Sequence, residues 1–187
     1  MIRLYITIVT ILFSLPVFSQ VNITTFAGGM YLGQSKQEIM DKWRGKYEVN
    51  KNGNLFFSRF DFLGLKQATL SFYQNRLVRA EFYTNEGDFK PMTHSEAMNL
   101  YKRCEKINVS RCENLYRTIS SKYGEATILE NNKRAWIDSY HSSKLSIEYS
   151  YRFNEQFPSI HGTYYEVMTT ASVIYEFYNS SNSHYDF

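Results

Sequence analysis

The sequence predicts an α+β fold in which two tandem helix-plus-three-strand repeats form one antiparallel sheet, with both helices packed on one face. Three observations predict it. A segment that reads SKQEIMDKW at residues 35–43 recurs in looser form as THSEAMNLY at residues 93–101. Runs in which apolar and polar residues alternate follow each copy, as in strands with one buried face. Aromatic residues make up 17% of the chain, which suits the faces of a β-sheet.

The chain begins MIRLYITIVTILFSLPVFSQ, with one cation, Arg3, before an apolar run. The run is about a dozen residues long, whereas a helix that spans a bilayer needs roughly 20. Val17 and Ser19 are small residues that fit cleavage by signal peptidase before Gln20. We therefore expect residues 1–19 to be a signal peptide and the mature chain to be exported, periplasmic or secreted, without a membrane span.

The first predicted repeat covers residues 20–85. Ser35 and Glu38 form the capping-box pattern that starts a helix, and apolar residues at helical spacing lead from them to Trp43. The KNG sequence at residues 51–53 turns the chain. Three runs with strand composition follow, namely NLFFSRFDF, KQATLSFYQ and RLVRAEFYT.

The second predicted repeat covers residues 86–178. Its helix starts with a similar capping-box pattern, Thr93 and Glu96. From the cap to the next KY, the first copy takes 11 residues and the second takes 29. The additional residues correspond to about five helical turns. We therefore expect the second helix to be longer than the first, with its apolar residues still on one face. The runs RAWIDSY, KLSIEYSYRF and YYEVMTTASVIYEFY then predict strands.

Two polar segments flank these elements. NEGDFKP at residues 85–91 has the composition of a linker, so we expect it to join the two repeats. NSSNSHYDF at residues 179–187 is rich in polar residues and predicts a flexible tail.

One helix-plus-three-strand unit alone would leave a sheet face bare, whereas two such units side by side form a continuous sheet with both helices on it.

Cys104 and Cys112 are the only cysteines. On a continuous helix, eight residues rise about 12 Å, whereas a disulfide needs α-carbons within roughly 7 Å. A disulfide therefore requires a break in the helix, for which NVS at residues 108–110 is the candidate. Export favours oxidation and the apolar phase favours a continuous helix, so both alternatives stay open. The spacing does not indicate a metal or thiol-redox motif.

Charge and motifs exclude several classes of function. The net charge is +3 and the 21 cations are scattered, so we expect no nucleic-acid partner. None of the four histidines has the spacing of a metal motif, and no nucleophile elbow or dinucleotide fingerprint occurs. We expect no cofactor, no metal and no enzyme activity. The strand acids Glu148, Glu166 and Glu176 are the candidates for acid–base chemistry in the enzyme alternative.

YLGQSKQEIMDKW resembles the opening helix of the β-lactamase-inhibitor-protein-like fold, which the small outer-membrane assembly lipoproteins share. The matching positions are Gly33, Ser35, Glu38 and Ile39. KYGEA, with Tyr123 and Gly124, is similar to the turn that ends the family's helix. The chain departs from the lipoproteins because no cysteine follows the apolar run. The inhibitor's contact residues have no identifiable counterparts here.

The resemblance implies a tandem α/β unit whose sheet presents an aromatic face to another protein. The outward tyrosines of the strands are then the candidate binding residues: Tyr73, Tyr83, Tyr164 and Tyr178. The leading hypothesis is an exported, non-enzymatic binding module that recognises a protein or envelope component through this aromatic face. The main alternative is a small-ligand carrier with an apolar pocket between sheet and helices. Plain sheet packing also accounts for many tyrosines.

Overall fold

A computed structural model describes Ile23, residues 25–159 and residues 162–177, with only the backbone described for residues 157–159. The predicted signal peptide, its cleavage site, the predicted tail and Tyr178 lie outside the described residues.

Two α-helices and ten strands are described. The first part of the chain contains β1 (Thr25–Phe26), a 3-10 turn (Ala27–Gly29), β2 (Met30–Tyr31), α1 (Lys36–Lys42), β3 (Glu48–Val49), β4 (Leu55–Phe57), β5 (Gln67–Tyr73) and β6 (Arg76–Pro91). The second part contains α2 (His94–Tyr123), β7 (Ile128–Glu130), β8 (Lys133–Asp138), β9 (Ser143–Ser159) and β10 (Gly162–Phe177).

Eight strands form one antiparallel sheet in the order β3-β4-β5-β6-β10-β9-β8-β7. β1 and β2 form a separate two-stranded sheet. The predicted α+β class and the antiparallel sheet are confirmed. Within the described part of the chain, neither helix has the length and apolar character needed to cross a membrane.

Both helices begin where the caps predict. The Thr93 hydroxyl accepts from the Glu96 N–H at 3.2 Å, and the Glu96 carboxylate accepts from the Thr93 N–H at 2.7 Å, which completes a capping box. At α1 the Ser35 hydroxyl accepts from the Glu38 N–H at 3.2 Å. These local bonds satisfy amides that have no partner inside a helix.

α2 is continuous over 30 residues, so no break occurs at residues 108–110. Cys104 and Cys112 are accordingly both free, and the intramolecular disulfide is not formed. The helix stays continuous because the additional residues of the second copy add whole helical turns. Its apolar residues therefore remain against the sheet without a break.

The helices cover one face of the sheet, and a single core joins the two halves of the chain. Ile39 of α1, Leu115 and Ile119 of α2 and strand residues from both halves belong to the same buried cluster. A smaller cluster lies under the first turns of α2. The fully buried members of the main cluster include Leu55, Phe57, Leu70, Ala80, Phe82, Leu145 and Val173.

One buried amide fixes α2 on the sheet. Asn108 is fully buried in the middle of the helix, and its Nδ2 donates to the Thr169 carbonyl at 2.9 Å and to the Thr169 hydroxyl at 2.8 Å. Arg111 donates to the Asn108 amide oxygen and to Glu86. Burying a polar group is costly unless it is hydrogen-bonded, so these contacts fix the position of α2 along β10.

The predicted strand NLFFSRFDF was too long, because only Leu55–Phe57 is strand. The chain then leaves the sheet and closes a turn in which the Phe60 N–H donates to the Lys66 carbonyl at 2.8 Å. Leu63 and Gly64 have positive φ in this turn. Phe60 is buried and packs against Trp43. The apolar residues in the second half of NLFFSRFDF therefore belong to a loop that packs onto the core, not to a strand.

The predicted linker at residues 85–91 was wrong, because this segment is the second half of β6. It pairs with β10 from Asn85 opposite Thr170 to Pro91 opposite Tyr164. Its polar composition arises because these residues lie on a part of the sheet with little covering, not because the backbone lacks partners. The predicted boundary between residues 85 and 86 therefore falls inside a strand.

Gly87 permits the close pairing of β6 with β10. Its φ is +152°, and a Cβ at this position would lie 1.9 Å from the Val167 carbonyl oxygen. Glycine alone combines this backbone conformation with this approach.

We expect Gly87→Ala to lower the free energy of unfolding by about 3 kcal/mol or more, because it combines a disfavoured φ with a clash against backbone. Gly64→Ala is the matched control, since Gly64 also has positive φ, +81°, but a Cβ there would have no atom within 4 Å. The control should cost about 1 kcal/mol. Equal losses in urea denaturation would contradict this account of Gly87.

Candidate functional site

The face of the sheet opposite the helices is covered by no described element, and we call it the open face. Its side chains alternate along each strand with the core residues. Its charged members are Arg79, Glu81, Lys133, Lys144, Glu148, Arg152, Glu166 and Glu176.

Cross-strand ion pairs lie in the part of the open face near the start of β6 and the end of β10. Glu176 lies directly opposite Arg79 on one side and Lys144 on the other, with N–O distances of 2.5 Å and 2.6 Å. One strand further, Lys133 lies opposite Glu148 at 2.6 Å. Opposite charges placed directly across neighbouring strands stabilise the pairing, so these groups first serve the sheet itself.

The pairing also determines the ionisation of the acids. Burial alone would raise the pKa of Glu148, but the Lys133 ammonium and the Ser146 hydroxyl outweigh it and hold that pKa below its ordinary value. The hydrogen bond from Arg152 lowers the pKa of Glu166. Both carboxylates are therefore ionised at neutral pH and are poorly suited to donate a proton.

The structure does not bring the candidate tyrosines together. Tyr73 is exposed at the end of β5 opposite Arg76, and Tyr83 is half-buried opposite Ser172. Tyr164 is half-buried opposite Pro91, eight residues along β6 from Tyr83, which is about 27 Å at 3.4 Å per residue. The Arg79–Glu176 pair lies between Tyr73 and Tyr83, and eight residues of β6 separate Tyr83 from Tyr164, so the expected continuous aromatic patch is absent among the described tyrosines.

At one end of the open face the candidate Tyr164 pairs with Phe89, a residue that the sequence analysis did not indicate. The rings of Phe89 and Tyr164 are 5.4 Å apart, and Phe89 is 56% exposed. Arg152 and Glu166, 2.8 Å apart, lie beside the pair. Phe89 was overlooked because it belongs to the predicted linker, although a phenylalanine in an otherwise polar segment was a usable signal. We call Phe89 and Tyr164 the distal aromatic pair.

The acids proposed for the enzyme alternative are separated. Glu148 lies four residues along β9 from the partner of Glu176 and six from the partner of Glu166, which is about 14 Å and 20 Å respectively. Two carboxyl groups that cooperate in hydrolysis lie roughly 5–10 Å apart. Each of these acids instead has its own cation.

The cysteines and histidines are not gathered into a reactive centre in the described residues. Burial raises the pKa of Cys112 to about 11 and raises that of Cys104, so both remain protonated thiols. His94 is the first residue of α2, and its ring packs edge-on against Tyr165. No described group of three or more histidines, cysteines and acids is arranged to hold a metal ion. His161 and His184 lie outside the described residues.

A depression of about 420 Å³ lies on the helix side, near the end of α2. The rings of Phe26 and Tyr175 stack at 4.5 Å along its wall. Burial raises the pKa of Tyr175, so its hydroxyl stays neutral. The lining residues are Thr25, Phe26, Ala27, Phe62, Lys122 and Tyr175.

Asp138 and His141 form a second feature that no sequence motif indicated. His141 Nδ1 lies 2.6 Å from an oxygen of Asp138, a carboxylate that is only 5% exposed. Burial would raise the pKa of Asp138, but hydrogen bonds from the His141 side chain, the His141 N–H and the Ile23 N–H lower it overall. The carboxylate thus ties the β8–β9 turn to the start of the described chain.

We expect Asp138→Asn to lower stability at pH 7 by about 1–3 kcal/mol. Because the pKa of Asp138 is lowered in the folded state, its contribution is complete above the ordinary pKa and is lost as the pH falls from about 5. The free energy of unfolding of the parent should therefore fall more steeply between pH 5 and pH 3 than that of the variant. Asp61→Asn, an exposed acid, is the control, and parallel profiles for parent and Asp138→Asn would refute the assignment.

Comparison of this chain with protein-family models, curated proteins and solved structures finds no match.

Proposed function

We propose that the chain is an exported, non-enzymatic binding module that recognises a protein or envelope component through the open face of its sheet. The observation that carries the proposal is the distal aromatic pair on a face that no described element covers. Exposed aromatic rings give a large contact area at little entropic cost and dominate many protein interfaces.

The surroundings of the distal aromatic pair support a protein contact. Phe89 and Tyr164 present apolar area, while Arg152 and Glu166 offer both signs of charge beside it. An apolar centre with a polar rim is the usual arrangement of an interface. Tyr164 keeps its predicted role in this proposal, whereas Tyr83 and Tyr73 lie too far along the strands for the same contact.

The ionisation of the acids supports a non-enzymatic role. Glu148 and Glu166 have lowered pKa values, and each is neutralised by a neighbouring cation. Acid catalysis at neutral pH requires the opposite arrangement, in which burial or a like charge raises a carboxyl pKa.

The proposal includes the tandem architecture and its resemblance to the β-lactamase-inhibitor-protein-like fold. Each helix is followed by four strands, and the two sets meet at β6 and β10 with β3 and β7 at the outer edges. This mirrored order is what two similar units joined side by side would produce. Export rests on the signal-peptide pattern of residues 1–19.

The depression near the end of α2 supports a second candidate, a small-ligand carrier. Its volume of about 420 Å³ lies in the range of ligand pockets, and three aromatic rings line it. Lys122 at its border would suit an apolar ligand with an acidic group.

We expect the double variant Phe89→Ser, Tyr164→Ser to lose its binding partner. The assay is capture from envelope extract by the immobilised protein, followed by titration of the identified partner. Removing two interface anchors should weaken affinity by about 30-fold or more.

Tyr140→Ser is the matched control, because Tyr140 is 75% exposed but lies in the β8–β9 turn. The control should bind as the parent does, and circular dichroism should show that all three proteins are folded. Equal capture by parent and double variant would overturn the proposal and favour the ligand carrier.

A further inference from the structure

β9 has an edge that no described strand pairs. β9 contains 17 residues, but β8 lies against only its first six, Ser143 to Glu148. The Tyr149 N–H then donates to the Asn132 carbonyl at 2.9 Å, and the pairing on this side ends there. Residues 150–155 continue with β10 on one side and no described strand on the other.

The backbone groups on this edge have a defined pattern. Pairing of β9 with β10 is regular from Ser143 to Glu155, so the direction of the N–H and C=O groups alternates along the strand. Since the Tyr149 groups face away from β10, those of Tyr151, Phe153 and Glu155 do so too. The edge therefore offers three donors and three acceptors in the spacing of a strand.

β6, β10 and β9 extend together beyond the neighbouring strands, and the opposite edge of this extension shows how an edge is blocked. There β6 runs beyond β5 from Thr84 to Pro91. Asp88 accepts the Phe89 N–H at 2.9 Å, Lys90 adds a charge, and Pro91 has no N–H. Lysine, proline and self-satisfied donors are the means by which proteins prevent edge pairing. Residues 150–155, SYRFNE, contain no lysine and no proline, and their charged residues are Arg152 and Glu155.

The unblocked edge is also complementary to itself. In an antiparallel pair centred on Phe153, Tyr151 faces Glu155 of the second copy and Arg152 faces Asn154. Phe153 faces its own counterpart, and about six backbone hydrogen bonds form. Shifting the centre to Arg152 would place two cations directly opposite each other, which is unfavourable. Charge thus favours the register centred on Phe153 over the register centred on Arg152.

Side-chain exposure agrees with a contact at this position. Tyr151 is 64% exposed although its ring packs against Tyr101, at a centroid distance of 5.7 Å. The Arg152 side chain is 61% exposed. A second strand beside β9 would cover both.

We propose that two copies of this chain associate through antiparallel pairing of their β9 edges at residues 151–155, which extends the sheet from one copy into the other. The partner is a second copy because the edge can pair with itself in the register centred on Phe153 without placing like charges opposite each other. This contact is made by the edge of β9 and shares only Arg152 with the rim of the distal aromatic pair, so the inference does not depend on the proposed function.

The test is sedimentation velocity of the full chain over a range of concentrations, with hydrogen exchange of the same samples. We expect a species of twice the 22.1 kDa monomer mass and slower exchange in residues 150–155 as concentration rises. Tyr151→Pro removes an outward N–H from each copy without removing a bond to β10. It should raise the dissociation constant at least about 10-fold.

Two further variants keep the test decisive. Tyr151→Thr removes the ring but keeps the N–H, so it should weaken association far less than Tyr151→Pro. Asn154→Arg places a cation opposite Arg152 of the second copy and should weaken association even if the proline variant fails to fold. A chain that stays monomeric at every concentration, or a dimer unaffected by Tyr151→Pro and Asn154→Arg, would overturn the proposal.

Discussion

The pairing of β6 with β10 is the interaction on which the rest of the structure depends. It extends over 13 residue pairs, from Arg79 opposite Glu176 to Pro91 opposite Tyr164, and it joins the two halves of the chain into one sheet. The register of this seam places Glu176 opposite Arg79 and brings Phe89 beside Tyr164. It also places Thr169 where Asn108 of α2 can reach it. The core, the open face and the distal aromatic pair all follow from the same set of backbone hydrogen bonds.

The fold could be predicted to the extent that local rules specify it. The caps at Ser35 and Thr93 and the phase of α2 are determined by residues a few positions apart, and alternation identifies the strands that have one buried face. The second half of β6 could not be found in this way, because its partner lies in β10, more than 70 residues later in the chain. Backbone pairing with that distant strand overrides a composition typical of linkers. The short edge strands β3 and β7 carry no periodicity at all.

The candidate site was harder to predict than the fold. Alternation correctly assigned Tyr83 and Tyr164 to strands, but whether two side chains meet depends on strand register, which no local pattern reveals. Arg79 and Glu176 are 97 residues apart in the sequence, and their ion pair occupies the place where a continuous aromatic surface was expected. Phe89 entered the site only because the segment around it is strand. The sequence thus placed these tyrosines on strands but did not reveal which side chains lie beside them.

The most direct test of this account asks whether the two halves unfold as one unit. The chain has two tryptophans, Trp43 beside α1 and Trp136 in β8, so Trp43→Phe and Trp136→Phe each leave one reporter in one half. For each variant, unfolding in urea would be followed by tryptophan fluorescence and by circular dichroism. A single core joined at β6 and β10 predicts coincident transitions by both probes in both variants. Separate transitions, with one tryptophan reporting before the overall loss of structure, would contradict it.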